Sequence, residues 1–124
     1  MRRLKIIFDA KEIIAEITDK NPKTADAVWN ALPLESTINI WGEELYFGVA
    51  VKVGEENAQE DVDVGDVAYW PEGRCICIFF GRTPISKTDL PKAYSPVNVF
   101  AKVVSNLKVL KTAVPGSVIR VEKC

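Results

Sequence analysis

Short runs in which apolar and polar side chains alternate fill most of this chain, and they restrict its fold more than any other feature. Leu4, Ile6 and Phe8 share one face of the first run, and residues 97–103 repeat the pattern near the other end. A period of two is typical of a β-strand with one buried face. Turn-forming residues separate the runs, and no strand–helix–strand alternation is present. The pattern predicts a mainly β, antiparallel protein of about eight strands, closed into a barrel that leaves no exposed edge.

Two segments depart from this pattern and predict short helices, around residues 22–32 and 105–112. In the first, Asn21 suits the N-cap and Pro22 the first helical position, and apolar residues follow at helical spacing. Ser105 is the expected N-cap of the second helix. We expect the two helices to cap the open ends of the barrel.

The length and the charge of the chain limit its partners. A chain of 124 residues, 48% of them hydrophobic, predicts a single domain over residues 1–124. Its 16 basic and 17 acidic residues are interspersed, so no basic stripe predicts binding to nucleic acid. The first apolar run ends at Asp9, too early for a signal peptide, and no run has the ~20 residues of a membrane span. We therefore expect a cytoplasmic protein without a membrane partner.

Three cysteines and the absence of histidine narrow the possible chemistry. An odd number of cysteines does not build a disulfide framework. Cys75 and Cys77 flank one residue of an apolar strand, so they share a face; reduced core thiols are the favoured interpretation, and a soft-metal C-x-C site is the alternative. Without histidine, neither a histidine-bearing zinc centre nor the usual serine triad can form. No phosphate loop or dinucleotide fingerprint occurs, and we expect no cofactor and no metal.

Large aromatic residues beside charged ones are the candidates for a binding site. Trp and Tyr combine apolar surface with a polar group, which suits a pocket, although packing at a barrel end is the alternative. Adjacent acidic residues in a turn are usually solvated, and Asn98 either lines the pocket or ties down the loop before it. The irregular segment 81–96 would cover the pocket. The predicted ligand-binding residues are Trp41, Glu43, Glu44, Tyr46, Tyr69, Trp70, Arg74, Phe80, Arg82 and Asn98, among which Trp41, Tyr69, Trp70 and Phe80 are expected to converge.

Two segments resemble the cyclophilins, and the chain as a whole is similar to a family of small prokaryotic cyclophilin-like proteins of uncharacterised function. Residues 99–111 (VFAKVVSNLKVLK) resemble the strand and helix near the end of cyclophilins, and residues 73–81 (GRCICIFFG) resemble their strand that ends in a Phe-Phe pair. The wider resemblance rests on residues 41–47 (WGEELYF), 65–71 (GDVAYWP), 79–86 (FFGRTPIS) and 95–99 (SPVNV). It implies a cyclophilin-like closed barrel.

The resemblance also raises the question of peptidyl-prolyl isomerisation. The cyclophilin F-H-R sequence with the catalytic arginine has no counterpart at residues 39–41 (NIW), whereas Phe80 matches the phenylalanine that packs on the substrate proline. Twisting a prolyl amide needs a hydrogen-bond donor as well as an apolar seat. We therefore expect a binding module whose aromatic pocket takes a small ligand or a proline-containing peptide. The alternative is an enzyme on the same barrel, including a weak isomerase with Arg74 or Arg82 as the substitute donor.

Overall fold

The computed structural model describes residues 2–124 and has ten β-strands over that range. The N-terminal part carries one α-helix, and a 3₁₀ helix precedes the last strand. The elements are β1 Arg3–Phe8, β2 Lys11–Ile17, α1 Pro22–Ala31, β3 Leu34–Thr37, β4 Asn39–Trp41, β5 Glu44–Gly48, β6 Gln59–Asp61, β7 Asp66–Trp70, β8 Cys75–Phe79, β9 Lys92–Val103, the 3₁₀ helix Leu107–Thr112 and β10 Val118–Lys123. None of the described helices is long and apolar enough to cross a membrane.

The strands form an antiparallel sheet in the order β3-β10-β1-β2-β9-β7-β8-β5-β4, with β6 paired to β9. The mainly β, antiparallel prediction is therefore confirmed. The hairpin of β1 and β2 turns at Asp9 and Ala10, both with positive φ (51° and 59°), as a tight hairpin turn requires.

The predicted closed barrel is wrong, because the hydrogen-bonded path is open and ends at β3 and β4. These two strands are consecutive in the chain, and only Ile38 separates them. The segment changes partner there: β3 pairs with β10, whereas β4 pairs with β5. Nine strands spaced ~4.8 Å apart would hold their ends far apart if flat, so the covalent link at Ile38 requires the sheet to curve back on itself. The two ends are joined by the chain rather than by a ladder of hydrogen bonds.

The helices also differ in detail from the expectation. The first is α-helical over Pro22–Ala31, but the second is a 3₁₀ helix that begins after Asn106, and Ser105 does not cap it. The Ser105 hydroxyl instead accepts a hydrogen bond from the backbone N–H of Ile14. Asn21 does occupy the N-cap position of α1, but its side chain makes no capping hydrogen bond, because it is buried and donates to the carbonyl of Val99 at 2.7 Å.

The carboxylate of Glu56, from the loop before β6, satisfies the start of α1. It accepts hydrogen bonds from the backbone N–H of Lys23 at 3.2 Å and of Thr24 at 3.1 Å, and from the Thr24 hydroxyl at 2.9 Å. Burial acts to raise the pKa of Glu56, but these hydrogen bonds outweigh it and leave the pKa below its usual value. A residue distant in sequence therefore provides the cap that a local asparagine was predicted to provide.

The sheet buries apolar side chains on both of its faces, and the central strand β8 shows how. Ile76, Ile78 and Phe80 pack into the larger core, together with the β1–β2 hairpin and α1. Cys75, Cys77 and Phe79 pack into a smaller core on the opposite face. This alternation shows that β8, with Phe80 directly after it, is covered on both faces. The smaller core carries the site described next.

Candidate functional site

Strand pairing brings aromatic and acidic side chains together at one side of the smaller core. Trp41 on β4 lies directly opposite Glu44 on β5, and Tyr46 two residues further lies opposite Cys77 on β8. Trp70 on β7 lies opposite Cys75, two residues before Cys77. Directly paired residues, and residues two apart on one strand, share a face of the sheet. The registers alone therefore place these side chains side by side.

These side chains border a partly open cavity of about 240 Å³. That is many times the ~10–15 Å³ that one water molecule needs on this measure, so the cavity has room for a small ligand. The lining residues are Trp41, Glu44, Tyr46, Trp70, Cys77, Ala93, Tyr94 and Val97. Four of the eight are aromatic, and the described lining includes neither lysine nor arginine.

Tyr94 stands at the mouth of the cavity, between the two tryptophans. Its ring is edge-on to both indoles, with centroid distances of 5.9 Å to Trp41 and 6.0 Å to Trp70. It nevertheless remains 65% exposed, so it is a rim residue rather than part of the core. Edge-to-face contacts of this kind hold aromatic rings in a defined orientation.

The indole of Trp70 is fixed from two sides. Its Nε1–H donates a hydrogen bond to the Ser95 hydroxyl, and its ring lies over Gly73 in the turn between β7 and β8. A methyl group at Gly73 would overlap the ring carbons, so the indole occupies space that any other residue would fill. The cavity wall at Trp70 therefore depends on a glycine three residues away.

Glu44 is the buried acidic group of the cavity. It is 6% exposed, and its Oε1 has no hydrogen-bond partner among residues 2–124. Burial raises the pKa of Glu44 from 4.5 to about 7, and hydrogen bonding with the Cys77 thiol offsets part of the rise. A carboxyl group of this kind exchanges its proton near neutral pH, which is unusual outside functional sites.

The thiols of Cys75 and Cys77, beside Glu44, are buried, and their burial keeps them protonated and unreactive. Burial raises the pKa of Cys75 and of Cys77, and the charge of Glu44 raises both further. A protonated thiol is a poor nucleophile and a poor metal ligand. No group of three or more Cys, Asp or Glu residues within residues 2–124 is placed to hold a metal ion.

Of the ten predicted site residues, four line the cavity: Trp41, Glu44, Tyr46 and Trp70. The predicted convergence with Tyr69 and Phe80 is wrong. Tyr69 precedes Trp70 on the same strand and therefore points to the opposite face, where it is fully buried and its hydroxyl donates to the Val51 carbonyl at 2.6 Å. Phe80 is 9% exposed and packs into the same larger core.

The remaining predicted residues lie outside the cavity lining. Asn98 is fully buried and bonds to Thr24, Gly54 and Glu56, so it ties down a loop, although not the loop that precedes it. Arg74 is an exposed turn residue with φ of 52°, and the Arg82 guanidinium donates to the carbonyl of Ser86. Glu43 packs against the backbone of Gly81. Of the four charged residues among the ten predicted, only Glu44 is therefore part of the described lining.

Sequence reasoning missed Cys77 as a lining residue, and it missed Ala93, Tyr94 and Val97 on β9. The irregular segment was predicted to extend to Pro96, but β9 begins at Lys92. The segment before β9 therefore does not cover the cavity, and Tyr94 on the strand stands there instead. Ala93 and Val97 have the same parity as Val99, so they extend the alternation of residues 97–103 toward the N-terminus. Pro96 argued against a strand there, because proline cannot donate to a strand ladder.

Comparisons with known proteins show which family and which solved structures this chain resembles. The family model described as cyclophilin-like matches residues 2–122. A solution structure of the hypothetical protein AF2241 from Archaeoglobus fulgidus has 40% sequence identity and a TM-score of 0.84, covering 99% of this chain and 95% of that one. A structure of McbB in complex with tryptophan has 19% identity and a TM-score of 0.70; it covers 96% of this chain, which corresponds to only 44% of McbB. The search of curated proteins gave no match.

Proposed function

This chain belongs to the cyclophilin-like family, and we propose that it uses the fold to bind a small ligand with a planar, largely apolar body in the cavity beside Trp41, Trp70 and Tyr94. The observation that carries the proposal is the set of aromatic side chains around an open space. Small-molecule sites combine apolar and aromatic walls with a few polar groups, as this cavity does.

The exposure of Tyr94 adds support. An aromatic ring that is 65% exposed and held edge-on to two indoles contributes little to the packed core. A flat ligand in the cavity would cover part of that ring and of both indoles. McbB, whose structure is described in complex with tryptophan, shares this fold over 44% of its chain, which is a likeness of fold alone. The proposal for this chain rests on its own cavity.

Prolyl isomerisation has less support from the geometry. Phe80, the residue that resembles the proline platform of cyclophilins, is buried in the larger core, on the other face of the sheet. Neither Arg74 nor Arg82 lines the cavity, so neither is placed to donate to an amide there. A proline-containing peptide is a weaker candidate than a compact ligand, because the cavity of about 240 Å³ has Tyr94 across its mouth.

We expect small aromatic molecules to change the tryptophan fluorescence of the protein in a saturable manner. Trp29 lies on α1 between Arg2 and Lys123, outside the cavity lining, so Trp29→Phe removes its background signal. On that background, 2-phenylethanol and 2-phenylethylamine are suitable probes, since neither absorbs where tryptophan is excited. Removing the Tyr94 ring (Tyr94→Ala) should weaken binding about three- to tenfold, as the loss of one aromatic contact implies. The absence of a saturable signal with both probes would contradict the proposal.

A pair of glycine variants tests whether the position of Trp70 shapes the cavity. Gly73→Ala places a methyl group where the indole lies and should displace it, lowering the affinity for 2-phenylethylamine roughly tenfold. Gly54→Ala is the matched control, because a methyl group there meets nothing within 4 Å. Circular dichroism verifies that both variants are folded. Equal affinity in the two variants would show that the Trp70 wall is not part of the binding site.

A further inference from the structure

The cavity contains a buried carboxyl group without a partner of opposite charge. Glu44 lines the cavity and is 6% exposed. It lies within the sheet, where it is paired with Trp41 on β4 and with Phe79 on β8. Its Oε1 accepts no hydrogen bond from any described residue, and no lysine or arginine lines the space around it. A buried ionised carboxylate normally has a paired cation, because an isolated charge is poorly tolerated in an apolar environment.

We propose that the ligand of this cavity carries a protonated amine, which pairs with the Glu44 carboxylate while the aromatic side chains surround it. This inference rests on the proposed function, since it assigns the chemical class of the same ligand. The cation would supply the counter-charge that the protein omits. The ring faces of tryptophan and tyrosine carry negative electrostatic potential, so they attract the same cation. Four aromatic residues and one carboxylate therefore select for positive charge together.

An anionic ligand fits the same residues poorly. It would meet no basic side chain in the described lining, and its charge would oppose that of Glu44. The indole N–H of Trp70, a donor that an anion needs, is already bonded to Ser95. A neutral ligand could donate a hydrogen bond to the carboxylate but would supply no counter-charge. Charge therefore discriminates among the three classes of ligand.

The experiment compares three probes of matched size at pH 8.5: 2-phenylethylamine, 2-phenylethanol and phenylacetate. At this pH, above the pKa of about 7, Glu44 is mostly ionised. We expect the amine to bind at least tenfold more tightly than the alcohol, and phenylacetate to bind most weakly. Glu44→Gln should remove most of the preference for the amine over the alcohol, because the counter-charge is lost while the apolar contacts remain. Glu43→Gln is the matched control, because it removes the adjacent carboxylate, which is outside the lining.

The possible failures separate the two proposals. If alcohol and amine bind equally well, and Glu44→Gln does not distinguish them, the cation assignment is overturned and the aromatic cavity stands. Tightest binding of phenylacetate would also overturn the assignment. If no probe binds, the proposed function itself fails.

Discussion

Replacing Glu44 with glutamine is expected to stabilise the folded protein by roughly 3 kcal/mol at pH 8.5. Burial raises the pKa of this carboxyl from 4.5 to about 7. Between these values the folded state binds more protons than the unfolded state, so its stability falls as the pH rises. A shift of about 2.5 units corresponds to roughly 3 kcal/mol, fully lost above pH 8. Glutamine has nearly the same shape and no charge to ionise, so it avoids this loss.

Urea unfolding of both proteins at pH 4.5, 6, 7 and 8.5 tests this expectation. The difference in the free energy of unfolding should be small at pH 4.5, where Glu44 is protonated in the folded state, and should grow through pH 7. Glu72→Gln, in the exposed turn between β7 and β8, is the control and should change stability by less than about 0.5 kcal/mol. A constant difference across this range would show that the carboxyl does not change its charge near neutral pH.

Replacing Asn98 with alanine is expected to destabilise the protein by about 3 kcal/mol. The fully buried amide donates to the Thr24 hydroxyl at 3.0 Å and to the Gly54 carbonyl at 2.9 Å, and it accepts from the backbone N–H of Glu56 at 3.0 Å. Alanine would remove all three hydrogen bonds and leave buried groups unpaired, each at a cost of about 1 kcal/mol or more. Because Glu56 in turn caps α1, the variant should also loosen the start of that helix.

Chemical denaturation at pH 7 measures this loss, and amide exchange at Lys23 and Thr24 reports on the helix start. Asn30→Ala, at an exposed position of α1, is the control and should change stability by less than about 0.5 kcal/mol. A loss below about 1 kcal/mol for Asn98→Ala would show that water replaces the amide in this network.

Local sequence patterns predicted the strands and helices of this fold, but not which distant segments they contact. The alternation at Leu4, Ile6 and Phe8 correctly indicated the first strand, because a period of two is visible within a few positions. The predicted capping side chain of α1 was wrong, because the hydrogen bonds at the helix start go to Glu56, more than thirty residues away. The open sheet was missed because the change of partner at Ile38 leaves no trace in the alternation around it.

The site was predicted only in part, because local spacing reveals neighbours on one hairpin but not residues that distant strands bring in. Trp41, Glu44 and Tyr46 lie on one hairpin, and their spacing is enough to place them on one face. Tyr69 and Trp70 were grouped because they are neighbours in sequence, although neighbours on a strand face opposite sides. Tyr94 reaches the cavity through β9, whose pairing with β7 includes a register shift that the sequence does not reveal.

The pairing of β1 with β10 has a consequence for synthesis on the ribosome. Leu4 on β1 pairs with Lys123 on β10. The β1 edge of the first hairpin therefore stays unpaired until nearly all of the described chain has been synthesised. Contacts so distant in sequence form slowly, and an open edge in that interval is a template for another nascent chain. Lys5 lies on this strand, and its positive charge repels an identical edge, whereas the charge of Arg3 is paired with Glu16. The exchange of Lys5 for an apolar residue would therefore appear first as a lower yield of soluble protein.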